Sequence, residues 1–148
     1  MLYEQFTDSY LVRFEAGEEA VETLLKFASA RNISFAMLSG AGAVESARLG
    51  YWNPESKNYQ FRDFHEQLEV VSFQGNLSLN DDKPFAHLHG AFARPDYSVV
   101  AGHIKAATVF PTLELWVRPG DTPVRREKDP ATGLDLMALS MRLTPPRS

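Results

Sequence analysis

Three of the chain's four histidines, His87, His89 and His103, fall in one short window. His87 and His89 are two apart, so on a strand their side chains share a face. Phe85-Ala86-His87-Leu88-His89-Gly90 and Ala101-Gly102-His103 flank Arg94-Pro95-Asp96-Tyr97-Ser98, which has the composition of a turn. An antiparallel hairpin centred on Asp96 sets His89 opposite His103. Directly opposed residues share a face, with Cβ atoms about 4.5–5.5 Å apart. Three imidazoles so placed can converge on one cation, at about 2.0–2.1 Å if it is zinc. Register decides the matter, because a slip of one residue turns His103 to the other face. The competing reading is three half-buried strand histidines, each hydrogen-bonded to a neighbour.

A fourth candidate is Glu114, flanked by Thr112 and Trp116 on a later strand. On a strand beside the histidines it would be a fourth ligand or a general base near bound water. Otherwise it is an exposed carboxylate paired with a cation such as Lys105. His65, beside Phe64 and Glu66, reads as a surface or turn residue. Ser39-Gly40-Ala41-Gly42-Ala43 lacks both a full G-x-G-x-x-G and the P-loop lysine, and no helical pattern follows it. A tight turn or bulge between strands is the expected use of its glycines, with close approach to a ligand or neighbouring subunit as the alternative. No G-x-S-x-G elbow is present, so serine-nucleophile chemistry has no local signature.

The 148 residues suit one domain with a substantial core. A net charge of −4 argues against the broad positive footprint of a DNA-binding domain. Arg125-Arg126 with Lys128 is the one basic cluster, and Glu127 and Asp129 interrupt it, so it reads as a solvated loop. The chain has no cysteine, which removes disulfide and thiol chemistry. No transmembrane run or signal-peptide pattern is seen, and a cytoplasmic location is the expectation.

These residues must be held by a strand-rich scaffold. Tyr10 to Glu15 alternates as a strand. Gly17 is expected to cap a helix with Glu18 and Glu19 in its first turn and Val21, Leu24, Leu25 and Ala28 as its buried stripe, closed by Arg31 and Asn32. Strand patterns follow at Ile33 to Leu38, Arg48 to Trp52 and Tyr59 to Phe64. They continue at Glu69 to Leu79, with Val71, Phe73, Leu77 and Leu79 inward, and after the histidine hairpin at Thr108 to Val117. A last short strand spans about Leu136 to Met141, and the tail from Pro145 to Ser148 is expected to fray. One helix against many strands gives an α+β class: a mixed, largely antiparallel sheet with one main helix packed on it.

Several blocks together resemble the plant-and-prokaryote conserved (PPC) domain family. They are Ser39-Gly40-Ala41-Gly42-Ala43-Val44, Leu49-Gly50-Tyr51, Leu68 to Asn76, Lys83-Pro84-Phe85-Ala86-His87-Leu88-His89-Gly90, Ala101-Gly102-His103-Ile104 and Val109-Phe110-Pro111-Thr112-Leu113-Glu114. Their order and spacing cover roughly residues 8 to 142. The resemblance implies a homotrimer in which His87, His89 and His103 form a metal site, for zinc, near the subunit interface. It supplies no reaction. Plant members join this domain to AT-hooks with an Arg-Gly-Arg core, which this chain lacks. Two functions are therefore expected to compete. One is a metal-binding trimer acting in hydrolysis or hydration of a small molecule, and the other is a regulatory or DNA-associated module without catalysis. A purely structural metal at the trimer contact is a third.

Overall fold

A computed structural model describes residues 1–141 of the chain. Nine strands and one helix follow in order: β1 Leu2–Gln5, β2 Tyr10–Glu15, α1 Ala20–Ala30, β3 Ala36–Asn53, β4 Asn58–Phe64, β5 Leu68–Asn80, β6 Lys83–Ala93, β7 Val99–Pro119, β8 Arg126–Lys128 and β9 Asp135–Met137. Seven strands form one sheet in the order β1-β2-β7-β6-β5-β3-β4, and a further β3–β7 ladder joins its interior strands. Strands β3, β5, β6 and β7 therefore make a closed circuit, which removes most of the open edge a sheet would otherwise expose. The sheet is not mixed: each of its ladders is antiparallel. The fold is more β-rich than a balanced α+β class, with a single short helix among the described residues.

The helix starts later than expected. Gly17, at φ +85°, turns the chain, and Glu19 is the cap. Its carboxylate accepts from the backbone N–H groups of Val21 and Glu22, meeting donors that the helix itself cannot satisfy. The same carboxylate accepts from Ala107 N–H on β7 at 2.9 Å, so the cap also pins the helix to the sheet. Ala20, Leu24, Phe27 and Ala28 face the core, and Asn32 takes the left-handed turn expected at the C-terminus, at φ 53°.

The expected strand at 33–38, from Ala36 onward, and that at 48–52 belong to one strand, β3, which also carries the glycine segment between them. The register against β5 shifts between Gly40 and Gly42, where Gly40 pairs with Phe73 and Gly42 with Val70; the extra residue lies on β5, so the glycine segment is continuous strand and not a turn. Its glycines admit the backbone of β7. A Cβ on Gly40 would lie 2.2 Å from the Glu114 carbonyl oxygen, and one on Gly42 2.3 Å from that of Thr112. Likewise β7 continues from the histidine hairpin through Thr108–Val117, with Val109, Leu113, Leu115 and Val117 fully buried. The same extra residue on β5 appears against β6 between Val70 and Ser72 and turns the expected burial at Val71: Val70 is buried and Val71 is 62% exposed, while Phe73 and Leu77 are inward as expected. The expected fraying of Pro145–Ser148 lies outside the described residues.

Candidate metal centre

Strands β6 and β7 form the hairpin that carries the histidines. Ala93 pairs with Val99 and His89 with His103, the register expected from a turn centred on Asp96. That turn is held by Asp96, whose carboxylate accepts from the Ser98 backbone N–H and hydroxyl. On β6 the alternation sends Leu88 into the core, fully buried, and leaves His87 and His89 on the other face. The three rings form a near-equilateral cluster with centroid separations of 5.1, 5.5 and 5.4 Å. One nitrogen from each ring lies within 4.8 Å of the others. The Nε2 atoms of His87 and His89 are 3.2 Å apart. Two nitrogens bound to a tetrahedral zinc at about 2.0–2.1 Å are about 3.3 Å apart, so this pair already has ligand spacing.

Burial favours the neutral form of two of these rings, His103 and His87. It is the main cause lowering His103 to about pKa 4, with the positive charges of His87, His89 and Lys105 acting in the same direction. His87 is lowered too, by burial first and then by Arg126 and His89. The neutral imidazole is the form that binds metal. Nδ1 of His103 is buried with no hydrogen-bond partner among the described residues. An unmet buried group of this kind costs about 1–3 kcal/mol, and a ligand at this ring offsets that cost. A three-histidine donor set fits zinc and leaves one tetrahedral position open.

Glu114 is not brought to this cluster. It pairs with Arg13 on β2 and Ala41 on β3, in hollows shared with Leu11 and Trp116. Because both lie on β7, Glu114 is eleven positions along from His103, at most about 36 Å of extended chain at about 3.3 Å per residue. Its expected ion pair with Lys105 is not formed either. His65 is exposed between β4 and β5, as expected.

A cavity of about 200 Å³ opens beside the histidines, lined by Tyr59, Phe85, His87, His103, Arg126 and residues 133–136. The Tyr59 ring lies 4.8 Å from that of His103, and burial raises the Tyr59 pKa against the opposing effect of Arg126. Arg126 overturns the solvated-loop reading of its segment. It is only 8% exposed and sits on β8, which pairs with β9 as a separate two-stranded sheet. Its Nε donates to Ser78 Oγ, its Nη1 to the Asp135 carbonyl and its Nη2 to Asn76 Oδ1, at 2.7–2.9 Å. Its guanidinium carbon also lies 4.7 Å from the Phe85 ring centroid. The available signal was the alternation Arg126-Glu127-Lys128, followed by the turn Asp129-Pro130-Ala131-Thr132-Gly133 and a second short alternating run. Mixed charge obscured it.

The profile of the Plants and Prokaryotes Conserved (PCC) domain matches residues 1–120. Among solved structures, a metal-containing protein from Archaeoglobus fulgidus is 33% identical, with TM-score 0.84 over 94% of this chain and 99% of that one. A candidate DNA-binding protein from Bacteroides thetaiotaomicron is 29% identical, with TM-score 0.90 over 93% and 96%. A plant- and prokaryote-conserved protein from Pyrococcus horikoshii is 26% identical, with TM-score 0.84 over 96% and 97%. Among curated proteins there is no match.

Proposed function

This chain belongs to the Plants and Prokaryotes Conserved domain family, and from that premise we propose that it is a homotrimeric metal-binding protein acting on a small molecule. Its ligands are His87, His89 and His103, and zinc is the ion. The observation that carries this reading is the convergence of three imidazoles, two of them already at ligand spacing. The relative from Archaeoglobus fulgidus, described as metal-containing, supports it. A bound zinc supplies Lewis acidity and a water of lowered pKa, the chemistry of hydrolysis and hydration. The chain's own part is to hold the rings in place and to present Tyr59 and Arg126 beside the open position. Glu114 from the same subunit takes no proton there. Exposed aromatic residues such as Tyr51, Phe61 and Trp116 offer surface for the trimer contacts.

Metal analysis of purified untagged protein tests the reading. The expected result is about one transition ion per chain, lost when all three histidines are replaced by alanine. Absence of a stoichiometric ion, or its retention in the triple variant, overturns the reading.

A second reading, a DNA-associated module, is favoured by the description of the Bacteroides relative as a candidate DNA-binding protein. Direct binding would show as retardation of A·T-rich duplex that weakens steeply with salt. The net charge of −4 and the missing AT-hook place this reading second. The expected result is no shift at micromolar protein and low salt.

A further inference from the structure

Arg126 is a buried cation without an anionic partner. Burying a charge is costly unless it is paired, yet its partners are a hydroxyl, a backbone carbonyl and a side-chain amide. No carboxylate among the described residues lies within ion-pair distance of it. Asp135 acts on Arg126 through its charge from beyond ion-pair distance; it gives Arg126 its backbone carbonyl, while its carboxylate accepts from Asn80 Nδ2 at 3.2 Å.

The donor count points the same way. A guanidinium has five N–H groups. Three are used in the bonds above, and a fourth lies on Nη2, 3.4 Å from His87 Nδ1. The fifth, on Nη1, has no partner among the described residues. The His87 contact holds only when that ring carries its hydrogen on Nε2, because a guanidinium donates and never accepts. If His87 held a metal through Nε2, its hydrogen would lie on Nδ1 and this contact would be lost. Arg126 would then have one uncommitted N–H on each terminal nitrogen, at the wall of a cavity beside the cation.

We propose that this cavity binds a small carboxylate, whose charge is met by Arg126 and whose short apolar body lies against Phe85, Leu134 and Leu136. The proposal rests on the metal reading and names the class of small molecule for that site. At about 200 Å³ the cavity is below the roughly 300–1,000 Å³ of pockets for drug-sized ligands, too small for a nucleotide. A single guanidinium beside Phe85, Leu134 and Leu136 suits a monoanion with a hydrocarbon tail better than a multiply charged phosphate. Paired N–H donors on planar nitrogens match a carboxylate. Loop contacts brace the outer wall: Asp129 accepts from the Thr132 backbone and hydroxyl, and Lys57 donates to the Ala131 carbonyl at 2.7 Å.

The test is calorimetric titration of the full chain, metal-free and loaded with cobalt(II), using acetate, propionate and butyrate, their amides, and inorganic phosphate. Cobalt absorbance reports separately whether the metal site is formed. The expected result is saturable binding of the acids, tightening from acetate to butyrate and at least tenfold stronger with cobalt. The amides should bind at least tenfold more weakly. Leu136→Trp, which adds bulk at the cavity wall and removes neither the guanidinium nor an imidazole, should abolish binding and leave the cobalt spectrum intact. Arg126→Gln should do the same if its circular dichroism shows it folded. If Arg126→Gln does not fold, Leu136→Trp and the acid–amide comparison decide.

Amides binding as well as acids, phosphate binding more tightly than any acid, or full acid binding by Leu136→Trp would overturn the proposal. So would a cobalt-loaded protein that binds no acid. Failure of cobalt to bind refutes the metal reading by itself, and binding of acids but not amides by the metal-free chain would then still uphold the Arg126 assignment.

Discussion

His103 is the residue on which the site depends most. Burial holds its pKa near 4, against an ordinary value of 6.5. In the metal-free protein the unfolded chain binds a proton below pH 6.5 that the folded chain refuses, so stability falls as pH drops from 6.5 toward 4. His87 acts in the same direction. The urea midpoint of metal-free protein is expected to decline across this window, and His103→Gln is expected to flatten the decline. An equal decline in the variant would show that His103 is not the titrating group. Glu114 supplies the converse test. Since it lies at the far end of β7, Glu114→Gln should leave metal affinity within about twofold of the parent, whereas His103→Ala should lower it by at least about a hundredfold. Competition with a chromophoric chelator measures both. The histidine register was legible because it needs only a period of two and a recognisable turn. The placement of Glu114 was not, because neighbouring strands are set by long-range pairing that no local spacing encodes.

Bulges account for most of what the strand patterns concealed. Alternation located β2, β4, β5 and the histidine hairpin, but an inserted residue at Val71 reversed its expected burial. At Gly40–Gly42 a stretch with the composition of a turn proved to be the middle of a long strand. Tertiary approach explains its glycines, since β7 crosses where any Cβ would stand. Gly40→Ala sets a methyl group 2.2 Å from the Glu114 carbonyl oxygen, and backbone must move to admit it. A loss of at least about 2–3 kcal/mol is expected, at the upper end for overpacking, read as a lower urea midpoint. A loss under about 0.5 kcal/mol would mean that the close β3–β7 approach is not kept in solution. Gly17→Ala meets no neighbour but carries φ +85°, so its cost is conformational and is expected to be only about 1 kcal/mol. Sequence reading expected a last short strand at about Leu136 to Met141, which overlaps β9, but missed β1, β8 and the pairing of β8 with β9. Arg126 reads as a solvated charge until the fold places Ser78, Asn76 and Phe85 around it.

At the scale of the whole molecule, the closed circuit of β3, β5, β6 and β7 makes a stiff frame, and the histidines sit on one of its hairpins instead of a loop. Rigid elements hold ligand geometry more tightly than loops do, so the metal-free protein should already have its rings near their bound positions. Addition of zinc should therefore raise the melting temperature through mass action while leaving the far-ultraviolet circular dichroism unchanged; a large gain in β-signal would show that the metal builds the hairpin instead of occupying it. The trimer proposed for this family member predicts a molar mass by light scattering near three times the 16.6 kDa chain, and a monomer would remove the interface from the account. The most direct test of the central claim is X-ray absorption at the zinc edge of the loaded protein. The account predicts a first shell of nitrogen or oxygen at about 2.0–2.1 Å with the outer-shell scattering of three imidazoles, reduced to two in His103→Ala. A spectrum with no imidazole contribution, or one unchanged by that substitution, would contradict it.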